Sequence, residues 1–272
     1  MKMEFGLRGH DIADNFDDMC ITAEKNKVKK LQFALAKTMT EVNFDEVGYD
    51  AQLSRKIKEK LDSHGLHISV LGCYINPVAQ DKDFLAAQLK RFKNFLYYAK
   101  DFSADVIGTE TGALETLEKT RSEENYLAFL ENFRPIIKEA EKIGVTVGIE
   151  PVYSLTIYDP QRMRRFIDDI NSPALGVILD VSNMIHPVTR HMQSDIINDA
   201  FDLFGDKIKA IHLKDFTFDG DEKHFAVAGT GELMTELIFD RIAERGINPE
   251  IILDETNLSL YEDSLKALNA IL

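Results

Sequence analysis

The sequence predicts a single (β/α)8 barrel, and three observations carry that expectation. The chain has 272 residues, and a barrel of eight β/α units takes roughly 250. Short β-rich runs alternate along it with longer amphipathic ones. Nothing like a Gly-rich phosphate turn follows the first strand, which weighs against the open doubly wound sheet, the other common outcome of such alternation.

Strands are expected at Glu4–Arg8, Lys30–Ala34, His67–Leu71, Val106–Thr109, Thr146–Glu150, Leu175–Asp180, Lys207–Lys214 and Glu250–Asp254. Helices are expected at Asn15–Lys25, Asp50–Ser63, Asp83–Phe102, Ser122–Ile143, Pro160–Ile170, Asp195–Phe204, Thr235–Arg245 and Ser259–Leu272. In the third of these, Phe84, Leu85, Gln88, Leu89, Phe92, Phe95 and Leu96 recur at steps of three and four and share one face. Gly65, Gly144 and Gly246 each follow a helix just before the next strand, where a left-handed residue is favoured. The strands after Gly144 are mostly Val, Ile and Leu, as parallel strands covered on both faces should be. No linker or low-complexity segment divides the chain, so residues 1–272 read as one domain.

A net charge of −14 argues against nucleic acid as partner, because sequence-independent affinity for its backbone comes from Lys and Arg. The densest basic runs, Lys25–Lys30 and Arg162–Arg165, are short and read as solvated surface. Cys20 and Cys73 form neither a zinc pattern nor a disulfide framework. No stretch of about 18 apolar residues occurs, and the N-terminus lacks the apolar core of a signal peptide. The expectation is a cytoplasmic protein with no membrane partner.

In a barrel, chemistry sits at the carboxyl ends of the strands. Four successive strands end there in groups able to bind metal: Glu150 on the fifth, Asp180 on the sixth, His212 on the seventh, and Asp254-Glu255 on the eighth. Alternation puts Thr146, Gly148 and Glu150 on one face of the fifth strand, opposite Val145, Val147 and Ile149. On the seventh, Ala210, His212 and Lys214 share a face. On the eighth, alternation does not decide between Asp254 and Glu255. Hard oxygen ligands with one imidazole suit Mn²⁺, Mg²⁺ or Co²⁺, with Zn²⁺ less favoured. Buried carboxylates need either such a cation or Lys and Arg partners, so the competing reading is an ion-pair network around Lys214.

These residues give the whole chain a resemblance to the xylose-isomerase-like barrel superfamily of sugar isomerases and epimerases. The resemblance rests on Glu150-Pro151, Leu179-Asp180 with Asn183 three residues on, His212-Leu-Lys-Asp215, Gly229-Thr-Gly231 and the acid closing the last strand. It implies one divalent ion held by Glu150, Asp180, His212 and the last acid. Two departures bear on the substrate: Asn183 stands where ketose epimerases often have His, and the last acid, counted from Gly246, is Asp254 rather than the usual Glu, with Glu255 immediately after. DNA-repair relatives of the barrel need three zincs and many more histidines than the seven present.

Arg8, Asn76, Glu110, Asn183, His186 and Lys214 lie at or just after strand ends and are candidates for binding substrate. The expected function is metal-dependent isomerisation or epimerisation of a small ketose-like sugar or polyol-derived substrate. Glu150 would serve as base, the acid of the last strand (Asp254 or Glu255) would return the proton, and Lys214 would meet the oxyanion. The rivals are a keto-polyol dehydratase using the same site and a non-catalytic metal-binding barrel. A homo-oligomer is compatible with the sequence.

Overall fold

The computed structural model describes residues 3–272. Its strands are β1 (Phe5–Arg8), β2 (Lys30–Phe33), β3 (His67–Gly72), β4 (Val106–Thr109), β5 (Val147–Ile149), β6 (Leu175–Leu179), β7 (Ile208–Leu213), β8 (Phe216–Asp219), β9 (Glu222–Phe225) and β10 (Glu250–Leu253). β1 to β7 and β10 close an all-parallel barrel in which β10 pairs with both β7 and β1, so the fold is a (β/α)8 barrel ringed by helices.

The helices begin and end for local reasons. Side chains of Asn15, Asp50, Asp81, Ser122 and Asp159 accept hydrogen bonds from first-turn amides, satisfying donors that the helix itself leaves unpaired. Gly144 and Gly246 terminate helices with φ of 74° and 61°. The longest amphipathic face departs from expectation at its start. Phe84 is 51% exposed, whereas Phe92, Phe95 and Leu96 are buried.

Register inside the barrel fixes the site. Val70, Val106, Ile178, Ala210 and Ile252 form a small inner core, separate from the large one between strands and helices. Glycines complete it: a Cβ on Gly148 would fall 2.6 Å from Val106, and one on Gly6 2.6 Å from Ile252. Because strand side chains alternate, the residues two positions beyond Gly6, Gly148, Ile178, Ala210 and Ile252 also face inward. Those residues are Arg8, Glu150, Asp180, His212 and Asp254. The expected faces of the fifth and seventh strands agree, with Val147, Ile149, Ile211 and Leu213 buried outward against helices.

β8 and β9 form an antiparallel hairpin that sequence reading left out. Its signal is Gly220-Asp221, the two-residue loop between the paired Asp219 and Glu222, with Gly220 at φ 61°.

Candidate metal centre and substrate cavity

Glu150, Asp180 and His212 are buried, and one ligand atom of each lies within 4.8 Å of the others. His212 Nδ1 stands 3.2 Å from Glu150 Oε2. Asp180 caps the one-turn helix Val181–Met184 by accepting from the Asn183 amide at 3.0 Å. The Asn183 side chain then donates to Glu150 Oε1 at 2.5 Å. Asn183 thus ties two acids of the triad together, a positioning role that its place three residues after Asp180 makes possible.

Lys214 Nζ lies 3.1 Å from both Asp180 Oδ2 and Asp254 Oδ2, and its hydrogen bond goes to Asp254. Asp254 Oδ1 is 2.7 Å from Arg8 Nη1, and Arg8 also pairs with Asp11 and Glu255. Burial raises the Asp180 carboxyl, and the Lys214 ammonium only partly offsets it. Burial acts on Asp254 too, but Lys214, His212 and Arg8 outweigh it and hold that carboxyl at about 2. Burial lowers the His212 imidazole, yet Glu150, with Asp254 and Asp180, outweighs it and leaves it raised.

The donor set fits a divalent cation. His212 Nε2 is buried without a hydrogen-bond partner, and such an orphaned atom is uncommon and costly unless a ligand meets it. Two carboxylates and an imidazole are hard-to-borderline donors suited to Mg²⁺, Mn²⁺ or Zn²⁺.

A cavity of about 390 Å³ opens beside the triad. Arg8, Glu110, Asn183, Lys214, Asp254 and Glu255 line it, as do His10, Gln32, Lys37 and Tyr74. Burial, and then the neighbouring Glu150, push the Glu110 carboxyl up to about 7. Two expected substrate contacts fall outside this lining. Asn76 is spent on its own loop, donating to the Ala113 carbonyl and accepting from the Val78 amide. His186 stacks on Tyr153, with ring centroids 4.5 Å apart, and is exposed. Neither Asp254 nor Glu255 is among the three clustered ligand residues. Residue 254 takes the inward position, and Glu255, at φ 50°, turns onto the rim to meet Arg8.

Sequence reasoning missed Tyr74 and Gln32 because a neutral residue at a strand end carries no charge signal. It also left the Gly229-Thr-Gly231 motif without a role. Asp215, buried, accepts from the amides of Phe216, Gly229, Gly231 and Leu233, and a Cβ on Gly231 would run into that carboxylate. The motif folds the loop after β9 around Asp215.

Fold and site together define a (β/α)8 barrel with a triad suited to a metal ion at its mouth. The chain belongs to the xylose isomerase-like TIM barrel family, whose sequence profile matches residues 27–271. No curated protein matches it in sequence. Among solved structures, a D-tagatose 3-epimerase-like protein superposes with a TM-score of 0.80 at 14% identity, over 99% of this chain and 97% of that one. The probable 3-DHS dehydratase AsbF from Bacillus anthracis, involved in petrobactin synthesis, gives 0.75 at 13%, over 98% and 99%. A xylose isomerase-like TIM barrel protein from Mycobacterium smegmatis in complex with magnesium gives 0.73 at 15%, over 100% and 98%. At these identities the likeness is one of fold. Among the described residues, no helix is long and apolar enough to cross a membrane.

Proposed function

We propose that the protein is a divalent-metal-dependent isomerase or epimerase of a small ketose-like sugar. The observation that carries this reading is the buried Glu150–Asp180–His212 triad, with His212 Nε2 unpartnered, on the wall of a polar cavity. Glu150, Asp180, His212 and, from across Lys214, Asp254 would hold the ion. Bound there, a divalent ion supplies Lewis-acid polarisation of a carbonyl, worth several kcal/mol.

The chain's own groups supply the proton transfers. Glu150, oriented by Asn183, takes a proton from the carbon next to the carbonyl. Lys214 donates to the oxygen on which charge develops. Glu150, once protonated, returns that proton to the neighbouring carbon, while Asp254, held ionised by Lys214 and Arg8, fixes the Lys214 ammonium in place. Each positioned acid or base contributes typically about 10²–10⁴ in rate.

A second reading has its own support. Loss of a β-hydroxide needs an acid at the leaving oxygen, and Glu110, pushed up to about 7 on the cavity wall, is suited to give that proton. A dehydratase is therefore the alternative within the same site. Incubation with a panel of ketoses in D₂O, followed by NMR, separates the readings. The isomerase or epimerase exchanges a carbon-bound proton and keeps the formula, the dehydratase loses water, and an inert barrel does neither. On this reading the protein would act in carbohydrate metabolism, in the cytoplasm.

A further inference from the structure

We propose that Gln32 and Tyr74, with His10 beside them, form a subsite for the hydroxyl groups of an unphosphorylated polyol tail. The proposal rests on the reading above for where the reacting carbons lie, and it names the class of substrate that fits.

The argument begins with position. Around the closed barrel, β2 lies four strands from β6, and β3 lies four strands from β7. Gln32, near the end of β2, and Tyr74, just past β3, therefore stand across the cavity from Asp180 and His212. A substrate whose carbonyl end meets the triad extends its other end toward them.

Their hydrogen bonding is incomplete in a specific way. Gln32 is 3% exposed, and its Nε2 donates to Tyr74 Oη at 2.5 Å. Its Oε1 is buried without a partner, and so is Nδ1 of His10, although both residues line the cavity. A buried amide oxygen without a donor bears an uncompensated desolvation cost, so a bound ligand is the group expected to meet it. Tyr74 Oη accepts from Gln32 and keeps its own proton free to donate. Burial and then Glu150 hold that phenol far above its ordinary value, so the proton stays on.

An unpartnered acceptor beside a free donor selects for chemistry. A hydroxyl is both donor and acceptor, so one hydroxyl or a vicinal pair satisfies Gln32 Oε1 and the Tyr74 proton together. A phosphate dianion offers only acceptors and sets lone pairs against Gln32 Oε1. Arg8 is engaged by Asp11, Asp254 and Glu255, and Lys214 by Asp180 and Asp254. That leaves Lys37, 5.6 Å from the Tyr74 ring centroid, as the one lining cation without an ion pair among the described residues. A single ammonium leaves the clash of phosphate lone pairs with Gln32 Oε1 in place. A site built to hydrogen-bond a substrate hydroxyl discriminates strongly against analogues lacking it.

Calorimetric titration of the Mn²⁺-supplemented protein with D-fructose, D-tagatose, D-psicose and D-sorbose, and with their phosphate monoesters, tests the subsite. At least one free ketose should bind more tightly than its phosphate. Tyr74→Phe, which removes only the hydroxyl, and Gln32→Leu should each weaken that binding by about tenfold. Metal content should stay that of the wild type. Tighter binding of the phosphates, no binding of any free ketose, or a change below about twofold in both variants would overturn the subsite. The two readings fail separately. Gln32-dependent binding without deuterium exchange into any ketose would leave the subsite and remove the isomerase. Exchange with a KM indifferent to both substitutions would do the reverse.

Discussion

The two ends of strand β10 treat an acid in opposite ways. At its start, Glu250 is fully paired: Lys30 Nζ lies 2.9 Å from Oε2 and 3.0 Å from Oε1, and Ser69 Oγ donates to Oε2 at 2.6 Å. At the other end, Asp254 belongs to a cluster in which two acids share the single Lys214 ammonium and His212 Nε2 is buried without a hydrogen bond. A closed network needs nothing further and serves the fold. An open one, where buried polar atoms outnumber their partners, bears a desolvation cost that a ligand would relieve. The comparison separates closed from open charge networks within one barrel.

The largest effect is expected from opening the functional end completely. His212→Ala and Asp180→Asn should each weaken Mn²⁺ binding by more than roughly 100-fold, beyond what supporting residues around metals usually contribute. Glu250→Gln, at the paired end, should leave metal binding unchanged. Equilibrium dialysis with elemental analysis measures all three. Equal behaviour of His212→Ala and Glu250→Gln would erase the distinction between the two ends.

Lys214 comes next, because it sits between two acids of the open end. As a partner for the oxyanion, its loss in Lys214→Met should lower kcat by about 10²–10³ with metal content retained. As a purely structural cation, its loss would leave Asp180 and Asp254 buried and unneutralised, which costs about 3–5 kcal/mol. Tm, metal content and turnover measured on one sample distinguish the two. A large fall in Tm with lost metal would assign Lys214 to the fold.

Asp254 and Glu255 sharpen the comparison at single-residue resolution. The inward Asp254, changed to Asn, should weaken Mn²⁺ binding by about 10–100-fold, whereas Glu255→Gln on the rim should change it by less than about threefold. The reverse ranking, read by the same dialysis, would show that the ligand is Glu255.

The smallest effect is a slope with pH in metal-free protein. Glu110 has its folded value pushed up to about 7 from an ordinary 4.5. The folded state therefore holds this proton more tightly than the unfolded chain does. Stability from Glu110 is full below about 4.5, declines as pH rises, and is lost above about 7. Glu110→Gln should raise Tm relative to wild type at pH 8 and not at pH 4. A parallel pair of Tm–pH curves would remove the burial argument for Glu110.

Much of this protein is written in its sequence. The period-two pattern on the fifth and seventh strands determined that Glu150 and His212 face the same interior as Gly148 and Ala210. The acids at successive strand ends determined that charge gathers at one mouth, and glycines before strands determined where helices stop. These are local properties, set by alternation and by backbone dihedrals. Tertiary structure decided the rest. Only closure of the barrel brings Gln32 and Tyr74 across from the triad, since they are far apart in sequence and neutral. Only a left-handed residue at 255, which no pattern specified, settles Asp254 inward and Glu255 on the rim. Asn76 and His186 looked alike to the other candidates along the chain, but loop hydrogen bonds and an aromatic stack drew them away from the cavity. Long-range contacts set these outcomes, and a linear pattern holds no record of which distant atom will lie within 3 Å or so of which.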